Sequence, residues 1–149
     1  MGKYFGTYQR NLDNKYRLQI PNKLVSALPD CFYLLRGFEG ALSIYDKETF
    51  DKFLSSLEKM SYMDSKMRTY MRLALSSVET LEVDSHGRIT LGSATASKYK
   101  ISNEVTIIGV LDHFEVWDRK AYDEFEAKNA ASYENIADDI ALLDSKEVL

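Results

Sequence analysis

The chain writes one pattern twice, about 71 residues apart. Asp13-Asn14-Lys15-Tyr16-Arg17-Leu18-Gln19-Ile20 returns as Asp84-Ser85-His86-Gly87-Arg88-Ile89-Thr90-Leu91, so that an acidic residue and an arginine twice frame a turn before an alternating strand. The echo continues downstream. Gly37, Leu42, Ile44, Tyr45, Asp46, Lys47, Phe50, Asp51 and Phe53 are answered, one residue further on in register, by Gly109, Phe114, Val116, Trp117, Asp118, Arg119, Tyr122, Asp123 and Phe125. Two copies are too few for a solenoid, which leaves a pseudo-symmetric fold built from two copies of one module.

The periodicity of one copy predicts its elements. Tyr4 to Arg10 reads as a strand, residues 11–16 as a turn, and Arg17 to Ile20 as a second strand with Leu18 and Ile20 on one face. Side chains alternate across a strand, so Arg17 and Gln19 share the opposite face, as do Arg88 and Thr90 in the second copy. Pro21 is expected to start a short helix, Asn22 to Leu28, with Leu24, Val25 and Leu28 inward, and Ser93 to cap its counterpart. Strand pairs follow: Phe32 to Gly37 with Ala41 to Tyr45, and Val105 to Gly109 with Phe114 to Trp117. Asp46 and Asp118 can each cap the next helix. Phe50, Phe53, Leu54 and Leu57 then make one apolar stripe, whose beginning Tyr122 and Phe125 repeat; these aromatics read as core, not as a base-stacking platform. A further helix, roughly Ser65 to Leu75, places Met67, Tyr70, Met71 and Ala74 at helical spacing. Its Arg68 and Arg72 are better suited to a solvated face, to Asp64 or to another subunit than to phosphate. The expected class is α+β and β-rich, with no flexible linker to separate the modules.

Composition narrows the partners. A chain of 149 residues with 45% hydrophobic content can bury a core. It has neither a run of roughly 20 apolar residues to span a bilayer nor, at Met1-Gly2-Lys3-Tyr4, the opening of a signal peptide, so a cytoplasmic protein without a membrane partner is expected. Cys31 is the single cysteine and lies in the apolar run Cys31-Phe32-Tyr33-Leu34-Leu35, as a packed strand residue does. The net charge of −4 is unevenly placed. Residues 1–23 carry Lys3, Arg10, Lys15, Arg17 and Lys23 against Asp13 alone, whereas residues 112–149 carry eleven acidic and four basic side chains. A basic first module with an acidic tail fits one face docking on an anion. Within the tail, Tyr133, Ile136, Ile140 and Leu143 recur as on an amphipathic helix.

Catalytic patterns are missing from the sequence. His86 and His113 are the only histidines, neither lies in a His-Glu-x-x-His pattern, and one cysteine excludes a cysteine-rich zinc site. No phosphate-binding Gly-x-x-x-x-Gly-Lys loop and no Gly-x-Ser-x-Gly elbow occurs. No catalytic residue, metal or cofactor is expected.

The motif Asn11-Leu12-Asp13-Asn14-Lys15-Tyr16-Arg17-Leu18-Gln19-Ile20-Pro21, the second Asp84-Ser85-His86-Gly87-Arg88, and the stretch from Ile108-Gly109 through His113-Phe114-Glu115-Val116-Trp117-Asp118 resemble the bacterial MraZ family of transcriptional regulators. The resemblance runs from about residue 4 to about residue 129. It implies two tandem SpoVT/AbrB-type modules, at 7–49 and 78–121, joined by a helical connection at 50–77 and followed by a C-terminal helix and acidic tail at 122–149. It further implies a pseudo-two-fold, swapped-hairpin barrel with short helices outside, ring-shaped homo-oligomers associated with the nucleoid, and binding to short DNA repeats upstream of the division and cell-wall gene cluster. Asp13 and Arg17 match the first family motif, whose arginine is associated with DNA contact, and Asp84 and Arg88 match the second. Two positions depart from the pattern: Tyr16 stands where glycine is usual, which is expected to demand a different turn, and Gly92 stands where the first copy has Pro21.

The side-chain chemistry points the same way. Arginine presents a planar fork that fits guanine O6 and N7, Lys15 offers a mobile charge suited to phosphate, and an Asp four residues earlier can orient the guanidinium. The DNA-binding set is therefore Arg17, Lys15, Arg10, Arg88 and Lys3, with Asp13 and Asp84 positioning the arginines. A structural salt bridge tying each hairpin is the competing reading; Arg10 and Lys15 nearby favour DNA for Arg17, while for Arg88 both readings stand. At the level of function, the alternative is a protein-interaction module of the same fold, antitoxin-like or scaffolding.

Overall fold

The structure is a computed structural model that describes residues 3–25 and 27–148, with side chains through residue 144. It forms two compact units, Met1–Arg119 and Lys120–Leu149, and the first holds the strands of both copies of the repeat. In chain order this first unit holds β1 (Thr7–Asn11), β2 (Arg17–Gln19), β3 (Cys31–Arg36), β4 (Leu42–Tyr45), α1 (Lys47–Glu58) and α2 (Ser65–Leu75). After these come β5 (Glu79–Glu82), β6 (Arg88–Thr90), α3 (Ser93–Lys98), β7 (Glu104–Gly109) and β8 (Phe114–Asp118). The architecture is α+β with antiparallel sheets and two repeated subdomains.

Strand pairing crosses from one copy to the other. A six-stranded sheet runs β1-β7-β8-β4-β3-β5, and a separate two-stranded ribbon joins β2 to β6. The first strand of each copy thus hydrogen-bonds to the third strand of the other, β1 to β7 and β5 to β3. In the ribbon Leu18 lies opposite Ile89, flanked by the pairs Arg17 with Thr90 and Gln19 with Arg88. Leu18 and Ile89 are fully buried and join Phe32, Leu34, Val105, Ile107, Phe114 and Val116 in the main core, where Phe32 meets Phe114 edge-on at 5.3 Å. Burying each such side chain contributes about 1.5–3 kcal/mol. That gain fixes the ribbon's orientation, because a slip of one residue would exchange Leu18 and Ile89 for arginines.

β3 and β4 are covered on both faces. Leu34 and Ile44 face the main core, while Leu35 and Tyr45 join Phe50 of α1 and Ala74 of α2 in a second cluster. Phe50 stacks on Tyr33 at 4.6 Å, and Phe53 and Leu54 pack at the margin, as the stripe predicts. Asp46 caps α1 by accepting from the Thr49 amide at 2.8 Å and also accepts from the buried Tyr4 hydroxyl at 2.6 Å. Two paired backbone bonds of 2.7 Å tie Tyr4 to Leu111, so the N-terminal segment straps both copies. A side chain at Gly109 is impossible here, since its Cβ would lie 2.2 Å from the Phe5 nitrogen. Asp118 ends β8, and its carboxylate accepts from the Ser102 amide at 2.9 Å.

The second unit is helical. α4 (Arg119–Asn129) begins at the end of the first unit and leads through a short 3-10 turn, Ala130–Ser132, into α5 (Tyr133–Val148). Tyr133, Ile136, Ile140 and Leu143 lie on α5 as predicted, and all four are exposed.

Four expectations need correction. Residues 22–24 form a turn closed by the Leu24 amide on the Pro21 carbonyl, not the start of a helix, and Leu28 is exposed. Pro29 disfavours helical geometry at the residue before it, and the turn closed on Pro21 forms instead. Leu24 is nonetheless buried. Ser93 does not cap α3; it is the first helical residue, and Gly92 occupies the cap position with φ 86° and no side-chain bond. α4 has no buried residue, and Phe125 is exposed, its ring 6.2 Å from that of Tyr122 on the same helix.

The fourth correction concerns Tyr16, whose turn is the same as that of the second copy. Tyr16 has φ 59° and Gly87 φ 76°. Their amides donate to the Asp13 and Asp84 carbonyls at 3.0 Å in both copies, and the two carbonyls accept across the ribbon, Tyr16 from Leu91 at 2.9 Å and Gly87 from Ile20 at 3.1 Å. Cross-ribbon pairing therefore dictates the left-handed conformation, whichever residue must adopt it. For an L-residue this conformation costs roughly 1–2 kcal/mol, partly offset because glycine is freer in the unfolded chain. Tyr16→Gly should accordingly stabilise the fold by about 0.5–1 kcal/mol. Urea unfolding checks this: the midpoint rises at unchanged slope, and a lower midpoint contradicts it.

Candidate nucleic-acid interface

An Asp four residues before an Arg, across a tight turn, can hold backbone and guanidinium with one carboxylate. Asp13 does so. Its Oδ1 accepts from the amides of Lys15 and Arg17, each at 2.9 Å, and its Oδ2 accepts from Arg17 Nε at 2.6 Å. Asp84 repeats the arrangement with the amides of His86 and Arg88 at 2.9 Å and with Arg88 Nε at 2.9 Å. Amide donation from Arg17, seconded by its guanidinium and by the Lys15 amide, outweighs partial burial and lowers the Asp13 pKa to about 2. Asp84 is lowered for the same reasons, the Arg88 amide first. In both copies the bound donors favour the ionised carboxylate.

Only the Nε of each arginine is engaged. Among the described residues the terminal Nη nitrogens of Arg17 and Arg88 have no hydrogen-bond partner, so each fork is aimed but unspent. The pairing of Arg17 with Thr90 and of Gln19 with Arg88 puts all four side chains on the ribbon face opposite the buried Leu18 and Ile89. The two arginines are diagonal neighbours, with Cβ atoms about 7–8 Å apart for such a pair. Gln19 is tied down by its Nε2, which donates to the carbonyls of His86 at 2.9 Å and Gly87 at 3.2 Å. The sequence placed Gln19 on this face but carried no sign of that bond, which joins two residues 67 positions apart.

Lys15 projects from the turn beside Arg17, exposed, with no partner for its ammonium among the described residues. The other two basic candidates lie elsewhere. Arg10, on β1, lies over the Tyr8 ring at 5.8 Å and donates from Nη1 to the Gln9 carbonyl at 2.8 Å. Lys3 borders an open cavity of about 720 Å³ together with Lys23, Lys47, Tyr4 and Asp46. No hydrogen bond links either to the ribbon among the described residues. Arg68, expected near solvent or Asp64, donates instead to the carbonyls of Tyr62 and Met63. No cluster of three or more metal-ligating side chains occurs among the described residues, and no described helix is long and apolar enough to cross a membrane.

Sequence comparison finds the same duplication. The family model described as "MraZ protein, putative antitoxin-like" matches the chain twice, at residues 4–73 and 74–144. The chain belongs to the MraZ family. It is built from two tandem MraZ/SpoVT-AbrB-like domains, and the family is one of regulators, not enzymes. Similar proteins include the transcriptional regulator MraZ of Mycoplasmoides gallisepticum, 35% identical over 91% of this chain and 95% of the relative. That of Mesoplasma florum is 35% identical over 92% and 94%, and that of Lactobacillus helveticus 34% over 92% and 96%.

The Asp13 carboxylate gives the interface an acid limit. A carboxyl whose pKa is lower folded than unfolded stabilises the fold only while ionised, so this contribution is complete above about pH 4 and disappears as the pH falls toward 2. Stability measured by denaturant unfolding should fall through that window. In Asp13→Asn the fall should be shallower, and an equally steep one in the variant refutes the assignment.

Proposed function

We propose that the β2–β6 ribbon reads double-stranded DNA from the major groove and that the chain is a transcriptional regulator, as its relatives are named. The observation that carries this reading is the pair of carboxylate-held guanidiniums with free Nη nitrogens on one face of a two-stranded ribbon. A major groove about 12 Å wide admits such a ribbon, and an arginine fork fits guanine O6 and N7. Arg17 and Arg88 are the base readers, Asp13 and Asp84 position them, and Lys15 meets phosphate. Arg10 and Lys3, further from the ribbon, supply only long-range attraction to the duplex.

The modules at 7–49 and 78–121 form, on this reading, a pseudo-two-fold barrel of swapped hairpins. The strand register supports it: Leu18 lies opposite its own repeat counterpart Ile89, and Ser43 opposite its own, Glu115. The sheet order also reads the same when the copies are exchanged. One ribbon offers few base contacts, so the protein acts as a ring-shaped homo-oligomer on short repeats upstream of the division and cell-wall genes, in the nucleoid. Later contacts are then intramolecular, which raises avidity by about 10² to 10⁴.

Arg17→Ala should weaken binding to the chain's own upstream DNA by about 1–3 kcal/mol for each subunit engaged, with fold and oligomer intact. Lys15→Ala should weaken binding to every duplex and reduce the salt slope by about one. Gel shift over a salt series measures both. Wild-type affinity in Arg17→Ala, with a normal circular-dichroism spectrum, refutes the reader. For assembly, light scattering should give a mass several times 17.1 kDa that does not change on dilution across the micromolar range. A monomer there rules out the multivalent mechanism.

A further inference from the structure

The two readers are built alike, but the strands leading into them are not. β1 enters the Asp13 turn, and its last two rungs pair Arg10 with Val105 and Asn11 with Glu104. The Arg119 guanidinium lies across both rungs. Its Nη2 donates to the Arg10 carbonyl at 2.7 Å, to Asn11 Oδ1 at 3.1 Å and to the Val105 carbonyl at 3.2 Å, while Nη1 reaches Glu104 Oε2 at 3.3 Å. The ladder continues one residue further through the Leu12 amide on the Asn103 carbonyl at 2.7 Å, directly before Asp13. Arg119 Nε is buried without a partner among the described residues, so this side chain is given over to the strand pair at the expense of its own hydration.

The repeat counterpart of Arg119 is Lys47, and Lys47 does nothing similar. Its ammonium is exposed and lies 3.3 Å from Asp51 on its own helix. The corresponding rung of the other copy, Cys31 with Glu82, receives no lysine or arginine side chain among the described residues, although the Val83 amide still bonds the Asp30 carbonyl at 2.8 Å. A guanidinium holds its donors in one rigid plane and here reaches Glu104 from its second nitrogen as well; an ammonium is a mobile point charge without that fixed geometry.

We infer that Arg119 is a positioning residue for the first reader: it clamps the end of β1 to β7 and so holds the Asp13 turn, and through it the Arg17 fork, at a fixed angle to the ribbon. The inference rests on the DNA reading for its functional consequence but not for its structural one. The two are tested separately. In Arg119→Ala, amide hydrogen exchange should accelerate at Leu12 and Arg17 and stay unchanged at Arg88. Affinity for the upstream duplex should drop about tenfold, while affinity for an unrelated duplex and the salt slope hold, because no phosphate contact is removed. Arg119→Lys should not restore specificity. Placed on Arg17→Ala, Arg119→Ala should add no further loss, since both act through one side chain. Lys47→Ala, the control at the counterpart position, should leave the exchange pattern and the ratio of specific to unrelated binding as in wild type.

Unchanged exchange at Leu12 and Arg17 overturns the clamp, as does a loss that adds in full to that of Arg17→Ala. Equal loss of protection at Arg17 and Arg88 reduces Arg119 to general stabilisation and overturns it too. Should Arg119→Ala fail to fold, Arg119→Gln, which keeps one donor group, carries the same comparisons. If wild type itself shows no preference for the upstream duplex, the DNA reading falls, and the exchange contrast still decides the clamp.

Discussion

Neither copy of the repeat satisfies its own backbone. The first strand of each finds its hydrogen-bonding partner in the third strand of the other, and β2 and β6 pair across the copies with each other. A single copy would leave these strands as open edges, with buried amides and carbonyls unpaired. The main core follows the same division, since Leu18, Phe32 and Leu34 pack with Ile89, Val105, Ile107 and Phe114. Cross-copy pairing is therefore the condition under which any other contact forms, and it brings two arginines 71 positions apart in sequence onto one ribbon face.

That pairing also explains the strained turn. The residue before each reader arginine must send its carbonyl to the opposite strand, and only a left-handed conformation does so while its amide closes the turn on the aspartate. Glycine meets the demand freely at position 87. Tyr16 meets it at a cost in backbone strain, and the Asp13 carboxylate, with three donors on its two oxygens, holds the turn in place against that strain. Reader geometry and turn strain are thus two consequences of one constraint.

Much of this was legible in the sequence because it is local. Alternation placed Arg17 and Gln19 opposite Leu18, the Asp-x-x-x-Arg spacing anticipated the carboxylate ties, and the stripe of Phe50, Phe53, Leu54 and Leu57 anticipated how α1 packs. Long-range facts were not legible. Nothing near Tyr16 says that its carbonyl is needed by Leu91, so a tyrosine there read as a different turn. Residues 22–28 have helical spacing, yet the bounding prolines and the burial of Leu24 alone decide for a turn. Tyr122 and Phe125 echo a buried stripe, yet α4 buries none of its residues. Arg10 and Lys3 count toward a basic module in sequence, yet the fold spends one on Tyr8 and sets the other at a cavity rim.

On the proposed reading, the two arginines of one ribbon also set how far a single subunit can discriminate. Two bidentate contacts supply about 2–6 kcal/mol against a wrong site, between about 30-fold and 10⁴-fold. A genome offers on the order of 10⁶ to 10⁹ competing sites, so one ribbon on one site would spend most of its time elsewhere. The shortfall cannot be met by more base contacts, because only three residues of each strand pair in the ribbon and their alternate side chains are committed to the core. On that reading repetition supplies it, through several ribbons held in one assembly and several copies of the site held in one duplex. The small reader and the need for tandem sites are, on the proposed reading, the same physical statement made once in the protein and once in the DNA.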